Sequence, residues 1–245
     1  MTSPTDYSSS RFVAFVAIFA AMSTVLDLLL IPSEGVWDSW IFLLSPLVGA
    51  LIGPIGGFIA IGIGSLAGHL IFFRDAYELL FMFGAPLGAL MGGFVYQGKW
   101  KPVVAIYSLM LLGYFLEPVS WLLPLWGIWD ILAAFCLIIV FSFVSSRNMW
   151  PENKTRRDFL NLLFTIIIGL ESDILFRVFV LIPGQTYWFF YGLSPEALQL
   201  IWLGAGILTP LKVAIATVVG LAIGLPLLRQ FPDGLLQGEN RVLDD

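Results

Sequence analysis

This chain is poor in charge: only 12% of its 245 residues are Asp, Glu, Lys or Arg, against 59% hydrophobic residues. No water-soluble globular domain has that balance, so the composition describes one polytopic membrane domain. Cysteine is nearly absent. Cys136 is the single example and lies in an apolar run, which excludes a disulfide framework and a cysteine-based metal site. Histidine is equally scarce, and His69 without a second histidine reads as a hydrogen-bonded interface residue. There is no G-x-x-x-x-G-K-[ST] phosphate loop, and the connections are too short to fold as an ATPase, so ATP-driven work would need another subunit. No cofactor and no nucleic-acid contact are expected; net charge says little about partners here, because in a membrane protein charge acts by position. The polar stretch Met1 to Ser10 has no basic residue ahead of the apolar run, so residues 11–31 read as a first membrane helix rather than a removable signal.

What is abundant is apolar length. Residues 41–73 are thirty-three positions whose only ionisable side chain is His69, with seven glycines and with Pro46 and Pro54 among them. About 20 apolar residues cross a bilayer, so this run is too long for one upright helix and should break at Gly53-Pro54 into a hairpin. Apolar windows at about 11–31, 41–53, 54–73, 77–97, 102–123, 127–146, 159–182 and 197–229 predict an all-α bundle of six to eight transmembrane helices. The 41–53 window is short for a crossing, and 197–229 is long enough to tilt.

Basic residues orient the bundle, since Lys and Arg near span ends stay on the cytoplasmic side. With 41–73 drawn as a hairpin and both termini inside, Arg11, Lys99, Lys101, Arg147, Lys154, Arg156, Arg157, Arg229 and Arg241 share one side and Arg74 alone falls on the other. The outer connections 32–40 and 183–196 hold no Lys or Arg.

An ionisable group inside a span is costly, and is therefore paired, hydrated or functional. Asp27, His69, Arg74, Glu78, Glu117, Asp130, Glu171, Asp173, Arg177 and Lys212 fall in or near the spans, most in the outer half, which suggests an outward-opening pocket. Asp173 and Arg177, spaced i, i+4, suit either a mutual ion pair or ligand contact. Glu117 and Asp130 suit either hydrated span ends or a ligand. Lys212 has no acidic residue within a helical turn, so its counterpart belongs to another helix or a ligand. Trp37, Trp40, Trp121, Trp126, Trp129 and the run Tyr187 to Tyr191 read as an interfacial belt or as ring walls for a flat ligand, and the punctuated 183–196 segment as a lid. Small residues recur at Ala14, Ala17, Ala20 and Ala21 and, at intervals of four, at Gly49, Gly53, Gly57, Gly84, Gly88 and Gly92, as close helix packing requires.

The order of these pieces resembles the substrate-binding (S) components of energy-coupling factor transporters, the vitamin-uptake systems of prokaryotes. The resemblance covers about 1–101 and 197–229. It lies in Ala17-Ile-Phe-Ala-Ala21, in Ser45 to Gly57 with its Gly-Pro turn, in Phe83 to Gly93 before Lys99-Trp-Lys101, and in Gly206 to Lys212 running on to Arg229. The region 102–182 departs from it, holding three spans where one would be expected, as does Thr209-Pro210-Leu211 where an Asn often precedes the Lys. The resemblance implies a multi-pass plasma-membrane subunit that captures a vitamin-like small molecule. Trp37, Asp38, Glu78, Glu117, Asp130, Glu171, Arg177, Tyr187, Trp188 and Lys212 would serve as pocket candidates, and Ala17 and Ala21 would dock on a transmembrane coupling subunit driven by two ATPases. Beside it stand a self-sufficient ion-coupled transporter or channel and, disfavoured, a membrane enzyme using Glu171 and Asp173, which a helix points roughly 200° apart.

Overall fold

The computed structural model describes residues 4–33, 36–74 and 78–230. Its elements run α1 (Pro4–Leu28), β1 (Leu30–Ser33), β2 (Val36–Ser39), α2 (Ser45–Ile52), α3 (Pro54–Ile71), α4 (Glu78–Phe81), α5 (Gly84–Tyr96), α6 (Trp100–Leu116), α7 (Trp129–Ser146), α8 (Lys154–Leu181), α9 (Thr186–Phe189) and α10 (Pro195–Gln230). Among the described residues six helical segments are long and apolar enough to cross a membrane, and α6 is a shorter apolar helix of 17 residues. The fold is a polytopic helical bundle. The expectation of an all-α chain needs one amendment: β1 and β2 pair antiparallel, Leu30 opposite Ser39 and Ile31 opposite Asp38, in the connection after α1. Ile31, Val36 and Trp37 are β-branched or aromatic residues that suit this extended pairing.

The break at Gly53-Pro54 occurs as expected. Gly53 has φ +83°, which a side chain would resist, and Pro54 starts α3, where its missing N–H costs nothing. α2, at eight residues, rises about 12 Å and cannot cross by itself. All eight of its residues are buried. The 102–182 region forms α6, α7 and α8, three helices as drawn, although α6 ends at Leu116 and short 3-10 turns at Pro118–Leu122 and Leu125–Ile128 lead into α7.

The intervals of glycine are the contact points. The Gly49 Cα lies where a Gly57 Cβ would stand, at 2.7 Å; Gly49 itself abuts the Ala89 carbonyl, and Gly93 abuts Pro54. Gly88 meets the Gly169 carbonyl at 2.8 Å from its would-be Cβ. These meetings press α5 against α2, α3 and α8. One apolar cluster joins α1, α2, α3, α5, α8 and α10 through Val48, Ala60, Ala89 and Leu162; a second joins α5, α6, α7 and α8 through Met91, Tyr107, Ile138 and Ile168.

α10 carries Pro210 inside it. That proline cannot donate to the Gly206 carbonyl four residues back. The Trp129 indole Nε1 donates there instead, at 2.7 Å, so a backbone acceptor that lipid would leave unsatisfied is supplied by a side chain from α7.

At the end away from the basic turns, Asp27 of α1 gathers three elements. It accepts from Ser39 Oγ at 3.0 Å and from Arg74 Nη2 at 3.1 Å, and the His69 ring Nδ1 lies 3.1 Å from its Oδ2. His69 is thus the interface residue expected. At the opposite end Ser145 Oγ donates to the Gly98 carbonyl and Asn161 Nδ2 to the Tyr96 carbonyl, tying the α5–α6 turn to α7 and α8.

Gly49→Ala should lower thermal stability by about 1–3 kcal/mol, because its Cβ has only backbone to push against. Gly62→Ala, whose Cβ meets the Pro86 side chain at an ordinary 3.7 Å, should stay within about 0.5 kcal/mol of wild type. Detergent-solubilised melting curves compare the two; equal melting temperatures would contradict the packing account.

Candidate functional site

A cavity of about 470 Å3 opens between α8 and α10, within the range of small-molecule sites. α8 contributes Leu170, Asp173, Ile174, Arg177, Val178 and Leu181, one face at helical spacing. α10 contributes Ile201, Trp202, Ala205, Thr209, Lys212 and Val213, again one face. Phe42, Glu78 and Phe81 close one side, and Tyr191 and Leu193 come from the segment between α9 and α10. The Phe81 and Tyr191 rings lie 6.4 Å apart, joining these closing elements.

Three of the ten predicted pocket residues, Glu78, Arg177 and Lys212, line this cavity. Asp173 joins them: Arg177 Nε donates to Asp173 Oδ1 at 2.8 Å, so the i, i+4 pair is formed and also faces the cavity. The Asp173 carboxylate occupies space left by Gly84, whose Cβ would collide with its Oδ1. Glu78 is buried at the start of α4, close enough to Arg177 for their charges to interact.

Asp130 and Glu171 are brought together elsewhere. Both are buried, at 4% and 3% exposure, and lie within electrostatic reach of one another, on the side of α8 toward α6 and α7. Asp130 is thus not a hydrated span end. Its Oδ2 accepts from the Thr209 hydroxyl and its Oδ1 from the Ile131 N–H at 3.0 Å. Glu171 Oε2 is buried with no hydrogen-bond partner among the described residues. Glu171 and Asp173 point to different neighbours, as their two-residue separation requires. Thr209 touches both regions, lining the cavity while bonding Asp130.

Of the remaining predictions, Glu117, Tyr187 and Trp188 do not line the cavity. Glu117 caps the end of α6, Tyr187 is packed into the α6–α8 core, and Trp188 is 63% exposed. Trp37 and Asp38 form β2 through their backbone, and their side chains lie outside the described residues. Trp121, Trp126 and Trp188 are exposed, in keeping with an interfacial belt, whereas Tyr191 and Trp202 supply rings to the cavity. Trp202 and Thr209 escaped the sequence reading as pocket residues. The signal was present, since both recur at three- and four-residue steps back from Lys212, but an apolar helix shows such steps on every face. On α1, Ala17 and Ala21 are exposed, together with Val13, Ala14 and Ile18, while Ala20 is buried.

Chemically, the arrangement is a receptacle: aromatic and aliphatic walls, two carboxylates, one guanidinium, one ammonium and two hydroxyls, those of Thr209 and Tyr191. Among the described residues no group of three His, Cys, Asp or Glu side chains is arranged to hold a metal ion.

Arg177→Met should cost about 3 kcal/mol by leaving the buried Asp173 carboxylate unpaired, and adding Asp173→Asn should recover part of that loss; thermal unfolding of the single and double variants measures the coupling. Strictly additive losses would show that the pair contributes nothing. Comparison with known proteins gives no match: no family model, no curated protein and no solved structure matches this chain.

Proposed function

We propose that this protein is a membrane-embedded substrate-capture subunit for uptake of a vitamin-like small molecule, energised by separate coupling and ATPase subunits. The observation that carries this reading is the cavity, set among apolar helices and supplied with charge from α4, α8 and α10. Buried carboxylates such as Glu78 and Asp173 in a lipid-embedded bundle are paired, hydrated or functional, and both of these line the cavity. The cavity is lined from the half of α8 distant from Lys154, and so opens away from the basic turns; by the retention of Lys and Arg at the cytoplasmic face, that side is outward. The exposed Ala17 and Ala21 give α1 a small-residue strip on which a partner helix can approach closely. The segment bearing Tyr191 and Leu193 would serve as the lid, and release inside would follow from toppling of the subunit against its partner.

A second reading, a self-sufficient ion-coupled transporter, draws support from one feature: the buried Asp130 and Glu171 carboxyls beside the cavity, joined to it through Thr209. Proton-gradient-dependent uptake by proteoliposomes holding this chain alone would favour it.

Gentle purification followed by mass spectrometry should recover a small molecule from wild type and at least tenfold less, roughly, from Lys212→Ala. Co-purification with an ATPase complex from native membranes should be lost in Ala17→Trp and Ala21→Trp. An empty wild-type cavity, or an undisturbed complex in both tryptophan variants, would contradict the corresponding half of the proposal.

A further inference from the structure

Arg177 carries more donors than the protein uses. A guanidinium holds five N–H donors in a rigid fork, and the bond to Asp173 Oδ1 takes only the one on Nε. Nη1 and Nη2 have no hydrogen-bond partner among the described residues. Arg177 lines the cavity with 28% of its side chain exposed, whereas Asp173 keeps 5%. The orientation is set from behind. The Asp173 carboxylate sits where a Gly84 Cβ would stand, and a Gly88 Cβ would meet the Asp173 Cβ at 3.3 Å, so α5 holds Asp173 and Asp173 holds Nε. Thr209 has no such surplus, since its single hydrogen is engaged by Asp130 and the Ala205 carbonyl.

The charge of the fork is already met. Asp173 neutralises the guanidinium, and the Glu78 carboxyl acts on it electrostatically as well. What Arg177 offers the cavity is hydrogen without net charge, among apolar and aromatic walls that include Leu170, Ile174, Phe81 and Tyr191. Resting on the capture reading above, we infer that the ligand is an uncharged, ring-bearing molecule whose carbonyl oxygen accepts from the Nη edge of Arg177, with Asp173 as the positioning residue behind it. A body without an acceptor would strip water from Nη and leave it unsatisfied. A carboxylate would add a negative group to a guanidinium that Asp173 already balances, where low dielectric makes like charges repel strongly. An amine would set donors against donors.

The test is equilibrium binding to the full-length protein in lipid nanodiscs, corrected for uptake by empty nanodiscs. Three probes share one ring: N,N-dimethylbenzamide, neutral with a carbonyl and no donor; benzoate, an anion; and N,N-dimethylbenzylamine, a cation without a carbonyl. The amide should bind about tenfold or more tighter than either of the others. Arg177→Lys, which keeps a charge beside Asp173 and loses the fork, should weaken the amide by a similar factor. Asp173→Asn, which keeps the shape and unmasks the guanidinium charge, should turn the preference from the amide to benzoate, whereas a residue that only held the fold together would weaken all three alike. The wild-type ranking needs no variant, so a misfolded substitution does not shield the inference. Benzoate or the amine matching the amide there, or an unweakened amide in Arg177→Lys, overturns it and leaves a capture cavity standing; no binding by any probe overturns it outright. Amide selectivity in a chain that associates with no energising partner would instead overturn the transport reading alone.

Discussion

A bilayer withholds the force that assembles most proteins, because lipid tails are as apolar as the side chains they would release. Helices in this chain must therefore be held by contact and by hydrogen bonds. The bundle depends on backbone-to-backbone approach at glycine. Gly49, Gly57 and Gly93 bring α2, α3 and α5 together, and Gly88 meets Gly169 to bring α5 onto α8. Because α2 is too short to cross, it is stable only inside that packing, and its position behind α5 helps fix the height at which α8 presents Asp173 and Arg177.

The same constraint shapes the polar groups. Charged side chains among the spans are given company: Asp27 draws on Ser39, His69 and Arg74 from other elements, and Asp173 draws on Arg177 one turn along α8. Pro210 releases the Gly206 carbonyl, and Trp129 takes it up. Between α8 and α10 the bundle leaves a space, and polar groups line it. That juxtaposition of charged side chains with an open space is why we propose a binding site there.

Legibility of the site followed the physics of each residue. Asp173 and Arg177 were readable because their partnership is local, four residues apart on one helix. Glu78 and Lys212 were readable as costly charges and so as pocket candidates, and both line the cavity. Trp202 and Thr209 were invisible as lining residues, because an apolar helix such as α10 has no polar face to distinguish inside from outside. Tyr187 and Trp188 misled for the opposite reason: an aromatic run beside glycine and proline looks the same whether its rings enter a pocket, a core or the lipid boundary. Asp130 looked like a solvated helix end and is buried, a distinction that depends on where α10 lies.

The sequence alone determined the helical membrane architecture, the break at Gly53-Pro54 and the glycine contact faces. These follow from the length of apolar runs, from proline's missing donor and from the absence of a side chain, all properties of residues close together in the chain. Only the tertiary structure decided which charges share a space, bringing Asp130 to Glu171 and placing Glu78 and Lys212 on the cavity that Asp173 and Arg177 line. Those relations join α4, α8 and α10 over more than a hundred residues, and no local preference encodes the distance between helices that meet through their neighbours.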